Sequence, residues 1–316
     1  MSPAWAMNVV GSKYLQELLE EGDSLVNHHL FRGFLYSLFE LMMDANGRGL
    51  FSKLLDVCDD TQKSKIVLYL GQHGEKLLQA ATHPIGTESV KRLIRVMKKC
   101  QCLKHVISVL ASAVSILMLY SNGSSLVNYC VDNLRYDLKL LMFEGMISNF
   151  HIVARNSDGC LWLKKFIDEL RGYQRTILLN EVINNSAGLS RDPYGNFVVQ
   201  HAIKLRDPIV DRGICLSIAE DMVELSKSKS GSYVVEQCLR SSSGNLLLQK
   251  LAIIPPLEIQ KIARNIYGNY VIQTAMDVNK DVVLHHHLES VTEGIGCPWF
   301  KKNGATKLLR EPRNHV

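Results

Sequence analysis

The chain has 316 residues, 47% hydrophobic and 21% charged, with a formal net charge of +5 from 36 Lys and Arg against 31 Asp and Glu. Those proportions suit a folded soluble protein and exclude a disordered chain, and the small positive excess permits a nucleic-acid partner without requiring one. Eight cysteines (58, 100, 102, 130, 160, 215, 238 and 297) lack the spacing of a zinc site or a disulfide frame, as expected of reduced intracellular thiols.

The first ten residues read as a lead-in helix, without the basic start and apolar run of a secretory signal. Beyond them, glycines recur at 11, 47, 86, 123, 159, 195, 231, 268 and 304, at intervals of 36, 39, 37, 36, 36, 36, 37 and 36 residues. Such a period marks a stack of like units, so residues 1–316 read as a single repeat domain. If a helix starts near each glycine, offsets +3, +4, +7 and +8 share one face and must be apolar where that face is buried. The quartets run from Tyr14, Leu15, Leu18 and Leu19 in the first unit to Val271, Ile272, Ala275 and Met276 in the eighth. Of 32 such positions only Ser89 is polar, whereas a composition 47% hydrophobic would miss about half by chance.

Each unit has room for about three helices. Gly22-Asp23 ends one helix and starts the next, and Asp59-Asp60-Thr61 supplies another start. Val106 to Tyr120, with three serines and too short for a bilayer, reads as a buried helix. His83-Pro84 and Asp192-Pro193 each offer an N-cap followed by proline at the first helical position. The eighth unit divides into residues 268–278, 280–292 and a short piece near Pro298 to Lys302. Gly304 departs from the pattern, with Lys307 and Glu311 at +3 and +7, and reads as a terminal cap whose outer face need not pack.

Offsets +1 and +5 are neighbours one helical turn apart, with +2 beside them, away from the apolar face. They are Asn196, Phe197 and Gln200 in the sixth unit, Ser232, Tyr233 and Glu236 in the seventh, and Asn269, Tyr270 and Gln273 in the eighth. An exposed aromatic between two polar side chains, repeated on successive units, suits stacking on bases and pairing with their edges. Asn and Gln amides match a uracil edge, whereas Glu accepts the N1–H and N2–H donors that guanine presents together. Semi-buried helix aromatics alone would not account for the matched polar pair beside each ring.

These units resemble the Pumilio-homology repeat of the PUF family, and the resemblance covers essentially the whole chain. It implies an all-α fold, a right-handed α-solenoid in which a crescent of eight three-helix repeats plus a C-terminal cap binds single-stranded RNA, one base per repeat. It also implies that Asn with Gln reads uracil and Ser with Glu reads guanine on an antiparallel strand, so repeats eight, seven and six would read 5′-UGU. Ser12, Lys13 and Gln16 resemble an adenine reader with a basic stacker. By the same resemblance the target is a messenger RNA untranslated region and the partners are deadenylation or translation-repression proteins. The chain is then expected to be a cytoplasmic monomer, with a nuclear or nucleolar phase left open.

The middle units depart from this pattern. They offer Arg48, Gly49 and Ser52; Thr87, Glu88 and Lys91; Ser124, Ser125 and Asn128; and Cys160, Leu161 and Lys164. Gly49 cannot stack and Glu88 would face an anionic strand, while Lys91, Arg92, Lys164 and Lys165 are candidate phosphate contacts. Two other readings stay open: a PUF branch that binds structured or pre-ribosomal RNA without sequence preference, and a helical-repeat scaffold for protein. No cofactor, metal or catalytic residue is expected. His285-His286-His287 point in different directions on a helix, and neither a phosphate-binding glycine loop nor a nucleophile elbow occurs. An enzyme and a membrane protein are both set aside.

Overall fold

The computed structural model describes residues 3–293; the piece expected near Pro298 and the cap around Gly304 lie outside the described residues. The described residues form helices and connecting turns, with no strand among them, so the fold is all-α. The chain comprises two compact units, Met1–Leu178 and Leu179–Val316.

Each repeat opens with one helix, labelled here by repeat number. Unit 1 holds α1 (Val9–Glu20), α2 (Gly47–Val57), α3 (Pro84–Val96), α4 (Ser121–Asn133) and α5 (Ser157–Glu169). Unit 2 holds α6 (Gly195–Lys204), α7 (Lys229–Leu239) and α8 (Gly268–Val278). Within each unit these helices pack side by side in order, α1 through α5 and α6 through α8. Two further helices complete most repeats, as Asp60–Gln72 and Gly74–Thr82 do in the second. The fifth repeat differs: its second and third helices are fused into one of 20 residues, Gly172–Arg191, which neither proline nor a capped turn interrupts. The stretch from Val106 to Tyr120 is not one helix either. It is shared between Leu103–Ser112 and Val114–Leu117, and Leu119 and Tyr120 are exposed.

Three features fix each first helix. One is a cap three residues before the glycine. Asn8, Asp44, Asn156, Asp192 and Asn265 each accept through Oδ1 from the backbone N–H groups two and three residues on. His83 does the same with Nδ1, and Ser228 caps Gly231 with Oγ. In the fourth repeat Tyr120 holds this place and provides no side-chain cap. Such a cap is worth about 1 kcal/mol because the first N–H groups of a helix have no partner within it. Asp192 nevertheless does not start α6 where the sequence suggests. A turn over Asp192-Pro193-Tyr194 precedes a helix beginning at Gly195, whereas α3 does begin at Pro84.

The second feature is the glycine itself. A Cβ on Gly231 would stand 2.5 Å from the carbonyl oxygen of Leu225, and each anchor glycine meets the residue six before it, from Trp5 at Gly11 to Ile262 at Gly268. The repeat period therefore marks a close crossing of two backbones where no side chain fits. The third feature is the apolar quartet. In the inner repeats it is buried, as for Leu50, Phe51, Leu54 and Leu55, each such side chain contributing about 2 kcal/mol. Tyr14 is half exposed instead, and Leu18 and Met276 are only partly covered, all three on the first and last of these helices in the chain, α1 and α8. Ser89 sits in the core because its hydroxyl donates to the Met42 carbonyl at 2.8 Å, which satisfies a buried polar group.

Candidate nucleic-acid interface

Apart from Arg48, which is exposed, the +1 residues are not on the surface opposite the core. Ser12, Thr87, Ser124, Cys160, Asn196, Ser232 and Asn269 are buried, and most turn their polar atoms back to backbone carbonyls near the helix start. Asn196 Nδ2 donates to the carbonyls of Asp192 (2.8 Å) and Pro193 (2.9 Å). Asn269 Nδ2 does the same to Asn265 (3.1 Å) and Ile266 (2.9 Å). The helical wheel misplaces this position because it counts one helix only, whereas the preceding turn folds over it.

That burial orients the +5 residue. With Nδ2 held by two carbonyls, the Asn oxygen must face the other way, towards the side chain four residues on. Gln200 Nε2 donates to Asn196 Oδ1 at 2.8 Å, and Gln273 Nε2 to Asn269 Oδ1 at 3.2 Å. The same chain of bonds thus appears in repeats six and eight. In repeat seven, Ser232 Oγ donates to the Lys229 carbonyl, and the half-buried Glu236 accepts from Thr274 Oγ1 at 3.5 Å. Arg240 donates in turn to Thr274 at 3.0 Å. The sequence pattern singles out neither Thr274 nor Arg240, since both lie outside the +1, +2, +5 triplet. Phe197, Tyr233 and Tyr270 are half-buried rather than exposed.

In the first repeat Lys13 is exposed, and Gln16 Nε2 donates to Ser12 Oγ at 3.1 Å. Gln16 also explains Gly49. A Cβ there would stand 3.0 Å from Gln16 Nε2, so the missing side chain leaves room for the neighbouring repeat's amide.

A second ladder, at offsets +6 and +9, links successive first helices. In unit 1 it closes at every junction. Lys53 pairs with Glu20 at 2.7 Å, Arg92 with Asp56 at 2.6 Å, Tyr129 hydrogen-bonds Arg95 and raises its already high pKa, and Lys165 pairs with Asp132. Lys91 is engaged too, donating to Glu88 at 2.9 Å and to Ser125 Oγ at 2.8 Å. Asn128 accepts from the Trp162 indole N–H. Three of the four cations expected to meet phosphate are thus tied to carboxylates; Lys164 forms no ion pair among the described residues.

Among the described residues no three His, Cys, Asp or Glu side chains group to hold a metal, and no helix is long and apolar enough to cross a membrane. His285 and His286 lie 3.5 and 3.4 Å from the Glu289 carboxylate.

A family model, the Pumilio-family RNA binding repeat, matches residues 37–68, 149–183, 186–209, 221–250 and 258–282. Residues 69–148, which contain α3 and α4, fall outside the matched stretches. Pumilio homolog 8 of Arabidopsis thaliana is 32% identical over 272 residues, 85% of this chain and 52% of that protein. Pumilio homolog 12 of the same plant is 29% identical over 274 residues, 85% of this chain and 46% of that protein. The chain spans about half the length of the curated relatives it matches. Among solved structures, the RNA-binding domain of yeast Puf5p bound to SMX2 RNA has a TM-score of 0.71 at 19% identity, covering 92% of this chain and 88% of that one. The Puf4 RNA binding domain bound to an HO endonuclease RNA 3′ UTR recognition sequence has a TM-score of 0.67 at 24% identity, covering 94% and 95%. At such identities the likeness is one of fold. Together with the cap, glycine and apolar quartet that recur along both units, these matches show that the chain carries Pumilio-family (PUF) repeats.

Proposed function

We propose that the chain binds single-stranded RNA in a sequence-specific way, reads 5′-UGU with repeats eight, seven and six, and acts in post-transcriptional control of messenger RNA. The observation that carries this reading is the pinned amide of Gln200 and of Gln273. A free glutamine can rotate its amide by a half-turn and pair with adenine or uracil alike. Here Nε2 is held by the buried Asn, so each Gln offers its oxygen and one remaining N–H in a fixed order, as a uracil edge with N3–H beside a carbonyl needs. Between them Glu236 offers acceptors only, complementary to the two donors of guanine. Phe197, Tyr233 and Tyr270 would stack between bases, at about 1–3 kcal/mol per base.

Ser12, Lys13 and Gln16 enter this proposal as an adenine reader through the family resemblance alone, since Gln16 Nε2 is held by Ser12 much as Gln200 and Gln273 are held by their Asn. In repeats two to four the +2 and +5 side chains mostly engage one another or a neighbouring repeat, so the reading gives them no base. The 3′ UTR sequence bound by the Puf4 domain supports a messenger RNA untranslated region as target. Cytoplasmic action as a monomer, with recruited repression or decay proteins, belongs to the same proposal. The test is affinity for a 5′-UGU RNA against 5′-UCU at fixed salt, with wild type and Glu236→Gln. A preference of about 1–3 kcal/mol that the substitution erases is expected. Equal wild-type affinity for the two RNAs would leave a non-specific binder, and no binding to either would favour a protein scaffold.

A further inference from the structure

Among the described residues the +6/+9 ladder is open at one junction within a unit. At the junction of repeats six and seven the +9 and +6 residues are Lys204 and Gln237, and no bond joins them among the described residues. Instead a cavity of about 550 Å³ opens there, lined by Lys204, Arg206, Gln237, Arg240, Asp211 and Ser242 among others. Lys204, Arg206 and Arg240 are exposed, and among the described residues none of the three forms an ion pair. The one carboxylate of the lining, Asp211, is buried and accepts through Oδ2 from the Ser242 backbone N–H (3.2 Å) and hydroxyl (2.7 Å), while its Oδ1 has no hydrogen-bond partner among the described residues. Three cations against one carboxylate leave a surplus of positive charge, whereas in unit 1 three of the four junctions pair their cation with a carboxylate and the other sets Arg95 against Tyr129.

Arg206 carries a second signal. Its φ is +56°, and it is the one non-glycine residue with positive φ among the described residues. Glycine suits that place at a helix end, and a larger residue in the left-handed region costs about 1 kcal/mol or more. The fold thus holds a guanidinium at the rim of this cavity in a conformation that favours glycine. Lys204 and Arg240 lie seven residues beyond Phe197 and Tyr233, so on the same helix faces and about 10 Å further along the axes.

We propose that this cavity is a phosphate site, holding one phosphodiester of the strand whose bases lie against α6 and α7. The proposal rests on the RNA-binding reading above but not on which bases are read. The test uses Arg206→Gly and Lys204→Gln, with affinity for a 5′-UGU RNA measured across a salt series. Arg206→Gly removes the charge while relieving the left-handed strain, so its Tm should match or exceed wild type and weaker binding cannot be laid to unfolding. Loss of one phosphate contact should flatten the log Kd against log salt slope by about 0.7 and weaken binding about fourfold at 0.15 M salt. The UGU over UCU ratio should stay the same. An RNA with an uncharged methylphosphonate at the linkage between the second and third bases should weaken wild type equally and leave Arg206→Gly unaffected. Unchanged slope and affinity in both variants, with UGU preference intact, would overturn the phosphate site and leave the base reading standing. A flattened slope without any UGU preference in wild type would do the reverse.

Discussion

Asn196 should matter twice, once for the fold and once for the base. In Asn196→Ala the buried Nδ2 no longer donates to the carbonyls of Asp192 and Pro193, and Gln200 loses the Oδ1 that holds its amide. Three hydrogen bonds at roughly 1 kcal/mol each, not fully additive, suggest a cost of about 2–3 kcal/mol. At about 2–4 °C per kcal/mol for a chain of this size class, Tm should fall by roughly 4–12 °C. Gln200 is then free to rotate, so preference for uracil over adenine at the third base of UGU should drop from about 1–3 kcal/mol towards zero. Discrimination at the guanine should stay, because Glu236 is held through Thr274 and not through Asn196. Asn196→Asp, nearly the same shape, should be worse for stability, since a carboxylate cannot donate to the two carbonyls. Thermal melts and competition binding with UGU, UGA and UCU RNAs measure all of this. A melting point equal to wild type, or an unchanged uracil preference in Asn196→Ala, would refute the pinned-amide argument.

Gly231→Ala puts a methyl group 2.5 Å from the Leu225 carbonyl oxygen and should cost about 1–3 kcal/mol in a denaturant titration. Gly33→Ala, on an exposed helix position with nothing within 4 Å of the new Cβ, should instead stabilise by about 1 kcal/mol. Tyr120→Asn supplies the side-chain cap that α4 lacks, and a rise of about 1 kcal/mol in unfolding free energy is expected. Burial pushes the Cys130 thiol up to about 12, and burial with the nearby Asp59 charge pushes Cys58 to a similar value. Because the folded pKa values are raised, the stability these thiols contribute is complete below the unfolded value near 9 and is lost as pH rises towards 12. Unfolding free energy measured at pH 8, 9.5 and 11 should therefore fall, and less steeply in Cys130→Ala; equal slopes would count against the buried thiol as a cause.

What was legible in the sequence was whatever demands one kind of residue. A backbone crossing tolerates only glycine, and a packed face only apolar side chains, so both recur visibly at Gly47 with Leu50 and Phe51 and again at Gly231 with Val234 and Val235. The cap was legible in only two places, because Asn, Asp, His and Ser all perform it and no single letter repeats. The +6/+9 ladder was not legible at all. Arg92 and Lys165 read as a track for phosphate, since their partners Asp56 and Asp132 lie 36 and 33 residues earlier, one repeat away, where no local pattern points to them. The same residue type therefore has opposite meanings at different junctions. A cation at +6 whose neighbour carries a carboxylate at +9 staples two repeats, as Arg92 does; a cation at +9 facing Gln237, as Lys204 does, is left to a ligand. Whether a repeat can meet a nucleic-acid strand is thus a property of the junction between repeats, and reading triplets one repeat at a time misses it.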